Sequence, residues 1–343
     1  MSGKIFGLIA LTAVMEQAKA PKHFLYDILV GKETTEKTEE FEIHTREAGR
    51  KKAPLVGRRE RGVFVKKEAF AVTRVKPAYI KLNAVNEAEA IFEQQFGGTP
   101  YDNPQEVGNR ILADILNNFR DISFRTRLWM LVKTVLTGTC PMEEGKLGIS
   151  YGDVDKEVLS STALWTDPAC DPIKYLEKKQ YEIQKKTGVV IDTVVVSPDV
   201  AGAFLDNAKV KEYLNSIHSN YIRVNDSQAE DVEGKKLVAI IPTLNITIYS
   251  FVDWYTDMDN NNETTVIPEK TIIGFKAKSF NFQYGALALR PEQGKRANLY
   301  VKKQVVRTWY PDTSEDEELQ YFSAPLCVPG MDVKSWFVAE VIK

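Results

Sequence analysis

The sequence has little of what catalysis or membrane insertion needs. It carries three cysteines, three histidines and a formal net charge of only −2. Cys140, Cys170 and Cys327 lie far apart, with no Cys-x-x-Cys and no Cys–His spacing, so neither a disulfide framework nor a metal centre is expected. His23, His44 and His218 stand outside any Gly-x-Ser-x-Gly or Cys/His context, which leaves nucleophilic catalysis without a base. Phosphate-cradling glycine loops of the G-x-G-x-x-G or G-x-x-x-x-G-K-[ST] kind are absent. No apolar run reaches 18 residues, so no transmembrane helix is expected. Near-neutral charge excludes binding of a polyanion by net charge alone. A hydrophobic fraction of 43% excludes a disordered chain. The reading is therefore a soluble protein of about two domains for which no cofactor and no enzymatic activity are expected.

What the sequence does have is charge segregation. Between Arg46 and Lys76 stand eleven Lys and Arg against three Glu, a local charge of +8 that leaves −10 for the rest of the chain. This segment alternates near period two (Val63, Val65, Phe70, Val72) and is punctuated by Pro54, Gly57 and Gly62. It reads as a long, strand-rich hairpin with too few large apolar side chains to form a core. It must project into solvent or lie on a partner.

The clearest element follows. Asn103, Pro104 and Glu106 make a helix start. Val107, Ile111, Ile115, Phe119 and Ile122, then Phe124, Leu128, Leu131, Val132 and Val135, recur at helical spacing up to Gly138, a C-cap candidate. A helix over 104–137 would be about 50 Å long, as long as a compact chain of this size is wide. It would be a spine. Ahead of it, Ile5–Val14 is apolar; Ala18-Lys19-Ala20 imitates a signal-peptide cleavage site, but Glu16 and Pro21 favour a short packed helix over 8–19.

Beyond the spine, 141–155 reads as a hairpin. Asp171 and Pro172 start a helix that Gly188 ends, Val189–Val196 is a buried strand, and Ser197 caps a helix beginning at Pro198. Residues 210–214 continue a helical pattern, and 237–241 and 246–252 are strands, so about 170–280 reads as an α/β block. Asp257–Glu263 imitates a calcium loop but lacks its glycine and its final glutamate, so it reads as a polar hairpin tip between Tyr255 and Val266.

Order and local motifs together carry a resemblance. Phe24-Leu25-Tyr26-Asp27 with Thr34-Thr35-Glu36-Lys37, then Val194-Val195-Val196-Ser197-Pro198-Asp199 with Phe204 and Val210-Lys211-Glu212-Tyr213-Leu214, then Ser323-Ala324-Pro325-Leu326, are similar to the lambda-type phage major capsid protein E family. The resemblance runs nearly the whole chain; each motif is short, and its specificity lies in their collinearity. It implies an α+β tailed-phage capsid fold of the Hong Kong ninety-seven type. Residues 1–40 would be the N-arm and 41–82 the extended E-loop hairpin. Residues 83–170 would be the first part of the P-domain with the spine helix, 171–283 the α/β A-domain and 284–343 the second part of the P-domain. It further implies a virion protein, of a phage or prophage, forming pentamers and hexamers of an icosahedral head around double-stranded DNA. Assembly in the bacterial cytoplasm, and scaffold, portal and decoration partners, belong to the same implication.

Independently of that, a basic arm on an acidic body is a clasp between copies. Arg50, Lys51, Lys52, Arg58, Arg59, Arg61, Lys66 and Lys67 are expected to meet a neighbour's Glu315, Asp316, Glu317 and Glu318. Two other classes compete: a nucleic-acid binder using 46–76, and an enzyme on the α/β block, for which no acid/base constellation can be assembled.

Overall fold

The computed structural model describes residues 11–13, 15, 23–46, 70–86, 104–142, 148–215, 234–257, 262–291, 296–309 and 317–343. Helix α1 (Phe24–Leu29) runs directly into strand β1 (Val30–Thr35). Strands β2 (Phe41–Arg46) and β3 (Phe70–Val75) pair antiparallel, and β4 (Ile80–Asn86) follows.

Helix α2 (Pro104–Thr137) is the expected spine, 34 residues and about 51 Å long. Val107, Leu116, Phe119, Phe124, Leu128, Leu131, Val132 and Val135 are buried, three or four residues apart along much of its length. Gly138 ends it at φ 72°, its N–H donating to the Thr134 carbonyl at 2.8 Å. A side chain there would strike the Gly152 carbonyl oxygen at 2.2 Å. Asn103 lies outside the described residues.

The chain continues through β5 (Thr139–Cys140), β6 (Ile149–Ser150) and β7 (Asp155–Val158) to helix α3 (Pro172–Thr187). The Asp171 carboxylate accepts from the Ile173 and Lys174 amides, and Gly188 closes the helix at φ 82°, as its sequence predicts. Then come β8 (Thr193–Val196), α4 (Pro198–Asp206), α5 (Ala208–Asn215), β9 (Lys235–Ile241), β10 (Ile246–Phe251), β11 (Trp254–Thr256) and β12 (Glu263–Thr265). The last strands are β13 (Thr271–Phe275), β14 (Phe280–Tyr284), β15 (Leu287–Leu289), β16 (Asn298–Tyr300), β17 (Gln304–Trp309), β18 (Glu317–Ser323), β19 (Pro325–Pro329) and β20 (Phe337–Glu340).

Two local expectations change. The buried strand is Thr193–Val196, not all of Val189–Val196. Asp192 stops it on the near side: its carboxylate accepts from the Thr193 hydroxyl and the Ala277 amide, and Val190 is exposed. Ser197 precedes α4 but makes no capping bond among the described residues; its backbone N–H is taken by the Thr271 carbonyl at 3.1 Å. The polar tip expected near 257–263 joins β11 to β12, which pair antiparallel with Trp254 opposite Thr265; residues 258–261 lie outside the described residues.

A six-stranded mixed sheet runs β7-β20-β13-β8-β10-β9. It draws in Asp155–Val158 and Phe337–Glu340 from outside 171–283. It is the wall between two cores. Alternate residues of β8 face opposite ways: Val195 joins the spine core with Phe251, Ile273 and Val338, while Val194 and Val196 join Ile272 and Ala339 under α3 and α4. The spine core also holds α1, β14 and Trp336, whose indole N–H donates to the Val135 carbonyl at 2.9 Å.

A third cluster explains the N-terminal segment. Leu11, Thr12, Ala13 and Met15 are helical, and Leu11 and Met15 are buried against Leu116 and Phe119 of the spine and Val306, Leu319 and Tyr321 of the β17-β18-β4 sheet. Thr12 closes the open edge of β17: its hydroxyl accepts the Val306 N–H at 3.2 Å and donates to the Val306 carbonyl at 3.4 Å. Thr12→Val keeps the shape but orphans two buried backbone groups. The expected cost is about 1–3 kcal/mol, read from urea unfolding.

Candidate functional site

The basic hairpin is visible at its root. β2 and β3 keep six-residue antiparallel register, with Phe41 opposite Val75 and Arg46 opposite Phe70, so residues 47–69 are the connection of one hairpin. Ile43 and Val75 are buried in the spine core and fix that root. Outside the core the root is held by charge: Arg74 meets Glu42 at 3.0 Å and Lys76 meets Glu39 at 2.8 Å. Both pairs are solvent-exposed and contribute orientation more than stability.

Arg50, Lys51, Lys52, Arg58, Arg59, Arg61, Lys66 and Lys67 lie outside the described residues, as do Glu315 and Asp316. Glu317 and Glu318 open β18, half-buried, opposite Asn86 and Val85 of β4. The root of the hairpin enters β4 at the other end, where Ile80 pairs with Ser323. Five residues of strand, about 17 Å, separate Val85 from Ile80. The acidic strand end and the hairpin root therefore stand at opposite ends of β4 within one chain.

A polar cluster that the sequence does not single out joins α1, β1, the spine and β14. Glu33 on β1 accepts from the Tyr26 hydroxyl of α1 and from Lys303 Nζ at 2.6 Å. Arg127, from the middle of the spine, lies 3.6 Å from Glu33, and its Nη1 donates to the Tyr284 hydroxyl of β14 at 2.7 Å. Its guanidinium also sits over the rings of Tyr26 and Phe124, while Nε has no hydrogen-bond partner among the described residues. Burial pushes the Glu33 carboxyl up, but Lys303, the Tyr26 hydroxyl and Arg127 outweigh it and hold the group below its usual range. Burial pushes the Tyr284 phenol up to about 12, Arg127 partly offsetting it. Burial alone would depress Arg127; the phenols of Tyr284, Tyr26 and Tyr321 and the Glu33 carboxylate raise it instead. The cluster is thus a fixed cation among acceptors, joining four separate chain segments. No local pattern in the sequence announces it.

A second buried cation ties down the sheet edge. Lys179 of α3, its side chain 8% exposed, lies 2.8 Å from Glu157 and 3.6 Å from Asp155, both on β7. Lys179 holds Glu157 below its usual range, against burial. These groups fasten elements together; they do not converge on a pocket.

A spine helix, a long basic hairpin rooted in its core, and a mixed α/β sheet behind it define the tailed-phage capsid subunit, an α+β fold of the Hong Kong ninety-seven type. The structure is similar to a prophage capsid protein of Escherichia coli CFT073, at 16% identity and a TM-score of 0.66, over 98% of this chain and 99% of that one. The capsid asymmetric unit of cyanophage A-1(L) is similar at 12% identity, with a TM-score of 0.49, over 94% of this chain and 95% of that one. No curated protein matches the sequence. The family model for phage major capsid protein E matches residues 7–330, and the chain belongs to that family. Its role is structural: it is a head protein of the virion.

Proposed function

We propose that the chain forms hexamers and pentamers of an icosahedral head that encloses double-stranded DNA without reading its sequence. It assembles in the bacterial cytoplasm with a scaffold, a portal and a decoration protein. In this reading 1–40 is the N-arm, 41–82 the E-loop, 83–170 and 284–343 the P-domain, and 171–283 the A-domain. The basic arm, Arg50 to Lys67, lies on the acidic end of a neighbour's β18, at Glu315, Asp316, Glu317 and Glu318. The observation that supports this best is the hairpin root: two ordered strands carry a 23-residue connection with eight Lys and Arg against three Glu. Such a connection gains stability only on another surface. Charge pairs there give register more than affinity.

Size-exclusion chromatography with negative-stain microscopy tests the reading, with and without a co-expressed scaffold. High-mass rings or shells are expected. A persistent monomer with steeply salt-dependent DNA affinity would replace it with a nucleic-acid-binding reading.

A further inference from the structure

β1 is an unusual member of the core it borders. None of its six residues is buried: Val30 and Glu33 are half-buried, and Gly31, Lys32, Thr34 and Thr35 are exposed. Its parallel partner β14 is anchored deeply by Phe280, Phe282 and Tyr284, and is paired on its other edge with β19. The β1–β14 ladder is also broken by a register shift between Val30 and Lys32. Almost no apolar burial therefore holds β1 against the sheet. Backbone pairing, the Lys32 amide donating to Asn281 Oδ1 at 3.1 Å, and the Glu33 cluster do so. The segments on either side are anchored separately: Leu25 and Leu29 of α1 before it, Ile43 of β2 after it.

We propose that β1 is a releasable strap, able to leave β14 as a unit of its own while α1, the spine and the hairpin root stay packed, with Glu33 as its lock. The lock faces Tyr26 from α1, Arg127 from α2, Tyr284 from β14 and Lys303 ahead of β17. All four lie outside the strap, on parts of the fold that stay in place, so breaking one carboxylate's contacts frees the strap. Glu36 and Thr38, beyond the strap, bond to Tyr284 and Ala286 through backbone alone. Opening thus extends to the turn that feeds the basic hairpin, and Ile43 and Val75 remain as its pivot. This inference stands whether or not the arm clasps Glu315–Glu318.

Native-state hydrogen exchange on the full chain tests it. Amides of Lys32 to Glu36 are expected to be far less protected than those of Leu128–Val135 and Val194–Val196. Their exchange should rise only weakly with urea, because a small opening exposes little surface. Glu33→Gln, which keeps the shape and removes the charge, should speed strap exchange about tenfold. The wild-type chain at pH 4, corrected for intrinsic exchange, should move the same way. That comparison and the urea slope need no variant, should Glu33→Gln fail to fold. Strap amides that share the core's protection and urea slope would overturn the proposal. So would strap exchange unchanged by both Glu33→Gln and acid.

Discussion

Replacing Arg58, Arg59 and Arg61 together by Glu leaves a folded subunit that makes no shells. The three reversals take the 46–76 segment from +8 to +2 and put three carboxylates where three guanidinium groups stood. Facing a neighbour's Glu315, Asp316, Glu317 and Glu318, that arm meets like charge, which costs several kcal/mol at an interface and slows encounter as well. The subunit itself should not suffer. The root is fixed by Ile43 and Val75, and the arm's sequence offers few large apolar side chains to any core. Sedimentation velocity and microscopy read the loss of shells, and circular dichroism melting reads the intact fold. Normal shells from the triple variant would refute the clasp. Combining it with reversal of the four acidic residues to Lys should restore assembly if the two charge sets meet each other, and should not if each meets something else.

What could be read from the sequence was what local chemistry determines. The spine is bounded as its apolar spacing and Gly138 predict, and α3 is bounded as Asp171, Pro172 and Gly188 predict. Where a distant strand competes, local signals fail. Ser197 looks like a cap, yet its N–H belongs to Thr271 and its hydroxyl bonds nothing among the described residues. The Val189–Val196 run looks like one strand, yet Asp192 is claimed by Ala277, far along the chain. The six-stranded sheet was half legible: β8, β9 and β10 are neighbours in sequence, but β7 and β20, about 180 residues apart, pair with each other at its edge, and no local pattern announces that pairing. The basic segment was legible as a charge imbalance, which composition alone reveals; that it forms an assembly surface is the proposed clasp. The Glu33 cluster was not, because Tyr26, Glu33, Arg127, Tyr284 and Lys303 meet only after four segments have folded together.

Arg127→Met should be the costliest single change in that cluster, at about 2–4 kcal/mol by urea unfolding. Methionine fills much of the space and keeps contact with the Phe124 and Tyr26 rings, so the loss is chiefly polar. Tyr284 loses the donor that holds its hydroxyl at 2.7 Å, and Glu33 loses one of its two cations. The orphaned Arg127 Nε moderates the loss, since wild type already tolerates one unbonded buried donor. The variant should also change the pH dependence. In the wild type the folded Glu33 carboxyl titrates below its unfolded value, so its contribution is fully present above about pH 4.3 and is lost as pH falls through the lower folded value. Without Arg127, burial regains weight against Lys303 and Tyr26. The folded carboxyl then titrates closer to the unfolded value, and the gain in stability from ionising Glu33 shrinks. Urea midpoints between pH 3 and 7 should therefore fall less steeply on the acid side in Arg127→Met than in wild type. Glu33→Gln should flatten that limb further, and in the double variant the second substitution should cost less than it does alone. Parallel midpoint curves for all four proteins would show that the cation and the carboxylate do not act on each other.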